Sequence, residues 1–287
     1  MRPKQRLYEW KNAPFIPLEF SGAAFRFGHS MVRNGYLLNF RHKRPLPVFG
    51  GDSLGNLQGF RRLPPTWTVQ WDHFLKLAAN PPGMPQESGF VDLALAKSLG
   101  NLPPDVTGPG VGDGQDGARK MLLVRNIERG YLLDLPSGQA VAAAIGEKPL
   151  SPLIDDDDDP LWVYVLREAK EQNGGKSLGR VGSTIVAETI IGLIAGDKLS
   201  YLNMKPDWRP TSHGKNFELR DLIVEAEMPI HQADLQDKEG FKDVYDPRAL
   251  LLDRFRTSEA EVREEIREAR PKRSARQAPN PRGRLAF

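Results

Sequence analysis

The sequence of 287 residues contains no cysteine. Disulfides, thiolate nucleophiles, zinc ribbons, iron–sulfur clusters and thiolate-ligated haem are therefore excluded. Long hydrophobic runs are absent too: the most apolar stretch, VGSTIVAETIIGLIAG at 181–196, is short for a bilayer and contains Glu188. We predict a buried helix there, and no membrane partner. The first fifteen residues have no apolar segment of the kind that a secretory signal needs, so a cytoplasmic and a secreted location both stay open.

Positive charge is concentrated near the C-terminus. The net charge of the chain is +3. Residues 254–287 contain ten Lys or Arg and five Asp or Glu, a net charge of +5, which leaves −2 for the rest of the chain. Sustained apolar periodicity ends near residue 226, apart from a charged helix that we predict at 257–270. We therefore expect a main portion at 1–226 and a charged tail at 227–287, partly helical and then disordered.

Helical signals dominate the main portion, and they predict a mainly α fold. Apolar spacing predicts helices at three places, residues 17–33, 66–78 and 118–130. Two further helices have recognisable starts. Ser137 is the expected N-cap of one, and Asp159 is the expected N-cap of the other, with Pro160 at its first position.

Five consecutive aspartates occupy positions 155–159. They permit two interpretations, a metal cluster or a solvated loop whose negative charge favours the N-terminus of the next helix. A calcium loop needs further oxygen ligands at fixed spacing, and none is present. We therefore expect the solvated loop.

One of the five histidines stands out as a candidate for chemistry. The other four lie in polar surroundings and are expected at the surface: His42, His73, His213 and His231. His29 lies within the predicted helix 17–33, where Arg26 shares its face. A partly buried arginine beside a histidine is costly without an anion nearby, and a haem would satisfy both side chains. The alternative, which this pattern alone favours, is a core His29 bonded to backbone and an Arg26 directed to solvent.

Four segments resemble one family in the same order. EFSGAAFRFGHSMVR at 19–33 resembles the proximal helix of the animal-type, myeloperoxidase-like haem peroxidases. The others are GFRRLPPTWTVQWDHF at 59–74, VRNIERGYLLDLPSGQAVA at 124–142 and the run from PLWVYVLREAK to PDW at 160–208. The resemblance covers about residues 13–226. It implies the helical haem-peroxidase fold, haem b as cofactor, and oxidation of small organic or halide donors by hydrogen peroxide.

The resemblance also implies roles for individual residues. His29 would be the proximal iron ligand through Nε2, and the side-chain carbonyl of Asn126 would accept the other imidazole N–H. Arg26 and Arg129 would hold the haem propionates, and Arg26 and Asn126 are the expected contributors to catalysis. A ligating histidine needs its second nitrogen anchored. Because asparagine is a neutral acceptor, it leaves the imidazole less anionic than an aspartate would, so the iron should be easier to reduce.

One half of the family's pattern is missing from this sequence. In these peroxidases a distal histidine and arginine, a calcium loop and the carboxylates that esterify haem lie upstream of the proximal helix. Here 28 residues precede His29, without a histidine, and their basic residues match no distal pattern: Arg2, Lys4, Arg6 and Lys11. We expect a fold without the distal half, inactive alone, and a fragment of a longer gene. The alternatives are pairing with a separate N-terminal chain and a reduced protein that has lost peroxidase chemistry.

A second function class is a non-catalytic binding or assembly module on a degenerate peroxidase scaffold. Its basic tail would bind an acidic partner or nucleic acid. The aromatic residues of the tail at 254–287 are Phe255 and Phe287, too few for a platform that stacks bases, which argues against nucleic acid.

Overall fold

A computed structural model describes residues 8–11, 13–50, 55–59, 62–77, 79–108, 117–154, 157–211, 216–231, 235 and 256–270. Within them the chain is mainly helical, as predicted. The α-helices are α1 (Leu18–Gly22), α2 (Pro104–Thr107), α3 (Leu122–Leu132), α4 (Gly138–Ala144), α5 (Leu161–Asn173), α6 (Arg180–Gly196), α7 (Tyr201–Met204), α8 (Leu219–Glu225) and α9 (Glu259–Ala269). Short 3₁₀ helices lie at Ala24–Met31, Pro65–Trp67, Trp71–His73, Lys97–Gly100 and Gly117–Lys120. Strands β1 (Gly35–Tyr36) and β2 (Leu46–Pro47) form an antiparallel pair.

The chain divides into two compact units, each discontinuous in sequence. The first draws on Met1–Val32, Phe90–Pro206 and Arg256–Phe287, and the second on Arg33–Gly89 and Asp207–Phe255. All four candidate residues, His29, Asn126, Arg26 and Arg129, fall in the first unit. The predicted division between residues 226 and 227 stays a prediction, because most of 232–255 lies outside the described residues.

Helix α5 is the centre of the core of the first unit. Five consecutive side chains, Trp162 to Leu166, are at most 2% exposed. A helix that is apolar and buried on every side must be surrounded by other elements. α5 accordingly packs against α3, α4, α6 and the 3₁₀ helix Ala24–Met31. It ends at Gly174, whose φ of +61° lies in the left-handed region that commonly terminates helices.

The starts of α4 and α5 differ in how well the sequence predicted them. Ser137 caps α4 as predicted, because its hydroxyl accepts a hydrogen bond from the backbone N–H of Ala140 at 3.0 Å. The prediction for α5 is wrong by one position. Pro160 is the N-cap there, and Asp159 precedes it.

The described aspartates of the run 155–159 all bond to protein groups. Asp157 bonds to Arg270, Asp158 to Ser137, and Asp159 to Gln139, Leu153 and Arg167. Asp159 is 2% exposed, so the prediction of a solvated loop is wrong at that position. Among the residues that the structure describes, which leave out Asp155 and Asp156, no group of three or more acidic or histidine side chains could hold a metal ion.

Helix α6 is buried along one face. Its buried residues recur at helical spacing: Val181, Gly182, Ile185, Thr189 and Gly192. At Gly192 an added Cβ would lie 2.5 Å from the ring of Tyr8, so the small residue allows that ring to pack. Ile190 and Ile191 are more than one third exposed, and the predicted buried helix is therefore right for one face only. No helix in the described part of the chain combines the length and apolar character that crossing a bilayer requires.

The helix predicted at 17–33 consists of two pieces. Helix α1 ends at Gly22, and Ala23 leaves the helical region with a φ of −136° before the 3₁₀ helix Ala24–Met31 begins. Gly22 lies against the end of α3, since an added Cβ would meet the side chain of Leu133 at 2.8 Å. The close approach to α3 is a contact between distant parts of the chain, which the local pattern does not contain.

Two other predicted helices differ from expectation in helix type. The segment 66–78 contains the 3₁₀ helices Pro65–Trp67 and Trp71–His73 instead of one α-helix. The segment 118–130 begins as a 3₁₀ helix and continues as α3. Position and approximate extent are thus predicted better than helix type.

The C-terminal helix α9 lies within the predicted range 257–270. Ser258 caps it, and a capping box with Glu261 satisfies both backbone donors. Val262 and Ile266 are at most 1% exposed and belong to the core cluster of the first unit, where α9 packs on α3. The expected disorder beyond it concerns residues 271–287, which lie outside the described residues.

A substitution at Gly138 tests the close packing of α4 on α5. An added Cβ would lie 2.0 Å from the side chain of Tyr164, so we expect Gly138→Ala to lower the free energy of unfolding by about 1–3 kcal/mol. Gly130→Ala in α3 is the control. No described atom lies within 4 Å of that Cβ, and the substitution should raise stability by about 0.5–1 kcal/mol. Urea unfolding measures both, and equal effects of the two variants would contradict the packing.

Candidate functional site

The 3₁₀ helix Ala24–Met31 carries both Arg26 and His29. One turn of a 3₁₀ helix takes three residues, so side chains three positions apart lie above one another. Arg26 and His29 therefore share a face, as the sequence predicted. Phe25, four positions from His29, does not share it, because the predicted α-helical spacing is wrong here.

Hydrogen bonds hold this 3₁₀ helix in its middle and at its end. The indole N–H of Trp162 in α5 donates to the backbone carbonyl of Arg26 at 3.2 Å. At the end, the guanidinium of Arg256 donates to the carbonyl of Ser30 at 2.5 Å. His29 lies between these two anchors, so its backbone is fixed from two directions.

The structure brings Asn126 to the imidazole of His29. Asn126 lies on α3 and is 2% exposed, on a helix whose apolar residues Leu123 and Ile127 are buried in the core. Its amide nitrogen Nδ2 lies 3.0 Å from Nδ1 of His29, although the two residues are 97 positions apart. This is the pair of side chains that the sequence predicted to meet.

The orientation of the Asn126 amide determines which imidazole nitrogen carries the proton. With Nδ2 facing the ring, the amide N–H donates to Nδ1, and the proton of the neutral imidazole is on Nε2. A half-turn of the amide puts Oδ1 in the same place. Nδ1–H then donates to the carbonyl, and Nε2 keeps its lone pair. The predicted role of Asn126 as an acceptor requires this second orientation.

The surroundings of His29 favour the neutral imidazole. Burial lowers the pKa of His29 from its ordinary value of 6.5, and the charge of Arg26 lowers it further. The hydrogen bond with Asn126 raises the pKa, as a bond from Nδ1–H to the amide carbonyl does, and it is the smallest of the three causes. A neutral imidazole is the form that can ligate a metal. Within the described part of the chain Nε2 has no hydrogen-bond partner.

Arg26 lies near the imidazole of His29, and Arg129 lies near Arg26. Burial first, and then the charge of Arg129, lowers the pKa of Arg26. The Nε–H of Arg26 donates to the carbonyl of Ser21 at 2.9 Å. Among the described residues neither Arg26 nor Arg129 forms an ion pair. Together they form a cationic site that suits an anionic ligand.

The helix beside His29 is open on one flank. No described atom lies within 4 Å of the position that a Cβ of Gly28 would occupy. Phe25 is 52% exposed and stacks on Phe20 with ring centroids 4.6 Å apart. An imidazole and a cation thus share one face of the 3₁₀ helix, with a second cation near the first, and these groups can hold an anionic ligand.

Sequence reasoning missed the residues that anchor the site. Trp162 and Arg256 bond to carbonyls 136 and 226 positions away in the sequence. Their partners are backbone atoms, which every residue has. No motif or spacing within the sequence therefore signals either contact.

The remaining histidines differ partly from expectation. His73 is 1% exposed, so the prediction of a surface position is wrong. Its Nδ1 lies 2.8 Å from the carboxylate of Asp72, which also meets Gln70 and Nδ1 of His231. A buried carboxylate with several polar partners stabilises the second unit and explains the burial of His73. His231 is exposed as predicted, and His213 lies outside the described residues.

No protein-family model matches this chain, and no curated protein matches it. The resemblance described above therefore rests on the four segments themselves.

The pKa of His29 gives a direct test of the charge arrangement. We expect a pKa of His29 below 6.5 by NMR titration of the purified chain, raised toward the ordinary value by Arg26→Met. Arg125→Met, on α3 beside Asn126, is the control and should leave the pKa unchanged. Because the unfolded chain then binds the proton more readily than the folded one, His29 makes stability fall as the pH drops below 6.5. A pKa above 6.5 in the wild type would contradict the geometry.

Proposed function

We propose that this chain is the proximal, haem-binding part of a peroxidase with the helical fold of the animal-type haem peroxidases. The observation that carries the proposal is the hydrogen-bonded pair of His29 and Asn126. The resemblance implies this pairing independently of the structure, and the two residues are 97 positions apart in the sequence. A mainly helical fold alone would not bring them together.

The residues present fit a haem. His29 would ligate the iron through Nε2, and Asn126, with its carbonyl turned to Nδ1–H, would fix the ring and its tautomer. The uncompensated charges of Arg26 and Arg129 would meet the two propionates. At Gly28, the residue before His29, no described atom lies within 4 Å of an added Cβ, so no described element covers the helix surface there.

The chemistry of the proposal divides between cofactor and chain. When bound, the haem supplies the redox chemistry by which hydrogen peroxide oxidises small organic or halide donors. The residues of this chain bind and orient it. Asn126 also adjusts the basicity of the imidazole, because a neutral amide carbonyl is a weaker acceptor for the Nδ1 proton than a carboxylate is.

Substitution of His29 tests the ligand assignment. We expect the wild-type chain to take up haem b stoichiometrically with a Soret band, and His29→Ala to lose that uptake. His42→Ala is a matched control, since burial lowers the pKa of that half-buried histidine as well, and it should retain the band. A wild-type protein that stays colourless after haem titration would contradict the proposal and favour the non-catalytic binding module.

Asn126→Asp tests the second assignment. The carboxylate should accept the Nδ1 proton more strongly, make the imidazole a more basic ligand, and lower the reduction potential of the iron. Asn101→Asp adds the same charge at an exposed position and is the control. Spectroelectrochemical titration compares the two variants. An unchanged or raised potential in Asn126→Asp would rule out Asn126 as the partner of the ligand.

A further inference from the structure

A side chain from the C-terminal segment reaches the residue that follows His29. Nη2 of Arg256 donates to the carbonyl of Ser30 at 2.5 Å, and Nε donates to the carbonyl of Ala94 at 2.6 Å. Nη2 also bonds to Ala94 and lies 3.6 Å from the carboxylate of Asp92. The side chain of Arg256 is only 18% exposed, so these bonds form in a largely dehydrated place where they are strong.

The Ser30 carbonyl needs such a donor. It belongs to the last turn of the 3₁₀ helix Ala24–Met31, where carbonyls have no partner within the helix. Ser30 is fully buried, and a buried carbonyl without a donor costs free energy. A basic side chain at the end of a helix meets this need. Losing it would loosen the turn that carries His29.

The segment that supplies Arg256 is itself firmly held. Thr257 pairs with Leu95 through its backbone N–H at 2.8 Å and through its hydroxyl at 2.6 Å. Helix α9, which follows, buries Val262 and Ile266 and packs on α3, the helix that carries Asn126. One segment therefore supports both residues of the hydrogen-bonded pair. Arg256 bonds to the residue after His29, and α9 packs on the helix that carries Asn126.

We propose that Arg256 is a positioning residue for the imidazole of His29, and that it fixes the ring relative to Asn126 through its bond to the Ser30 carbonyl. The identity of the ligand that the imidazole binds rests on the proposed function. The effect of Arg256 on the orientation of the imidazole does not. The ring orientation determines how well Nδ1 meets the amide, and so how basic the imidazole is as a ligand.

The experiment compares Arg256→Met, which keeps an unbranched apolar stem but removes every donor, with Arg256→Lys, which keeps a charged donor. Arg263→Met is the control on the same segment, since Arg263 is 46% exposed and pairs with Glu259 across one turn of α9. In the haem-free protein, NMR follows the hydrogen exchange of the backbone amides of residues 28–31 and the side-chain amide signal of Asn126.

We expect Arg256→Met to speed exchange at residues 28–31 about tenfold or more and to shift the Asn126 side-chain signal. Arg256→Lys should restore most of both properties, and Arg263→Met should behave as the wild type. In the haem-loaded protein, Arg256→Met should change the rhombicity of the ferric electron paramagnetic resonance signal while uptake stays stoichiometric.

A purely stabilising role would give a different pattern. Arg256→Met would then lower the melting temperature without a local change at residues 28–31 or at Asn126, and that result would overturn the proposal. If the wild type takes up no haem, the proposed function fails. The haem-free exchange and amide measurements would still decide the role of Arg256.

Discussion

The site depends on one hydrogen bond, between the Asn126 side chain and Nδ1 of His29. An imidazole has two similar nitrogens, and the partner of one determines what the other can do. Because Asn126 is almost fully buried, it has no water to replace this bond if the ring turns away. The pair therefore constrains the ring plane, the tautomer and the direction of Nε2 together.

Packing elsewhere in the first unit keeps the two sides of this bond at the right separation. Helix α5 packs against both α3 and the 3₁₀ helix Ala24–Met31, and it anchors the latter through Trp162 and the carbonyl of Arg26. Helix α3 carries Asn126 with its apolar neighbours buried. The close approach at Gly138 has the same effect, since a methyl group there would meet the side chain of Tyr164 and push α4 away from α5. Rigid elements, rather than loops, thus determine the position of the functional groups.

The sequence predicted what local chemistry determines. Ser137 as a cap, the charged helix α9 and the approximate position of α3 follow from hydrogen-bonding side chains and apolar spacing over a few residues. Prediction from the sequence failed where contacts between distant residues compete with local preference. Asp159 has the residue type of a cap, yet its carboxylate binds Arg167 and Gln139 inside the core instead. Arg26 and His29 share a face in either helix type, so their proximity was predicted although the helix type was not.

The positive charges of Arg26 and Arg129 determine which class of ligand the site can bind. Burial, and then a neighbouring positive charge, lowers the pKa of both Arg26 and His29, so folding disfavours the charged form of each group. Ion pairs with acidic side chains would offset that cost, and the described part of the chain supplies none at either arginine. An anionic ligand would offset it instead, and a ligand that also accepts a lone pair would account for the neutral imidazole. Haem meets both conditions with one molecule, which is why the cations and the histidine support the same proposal.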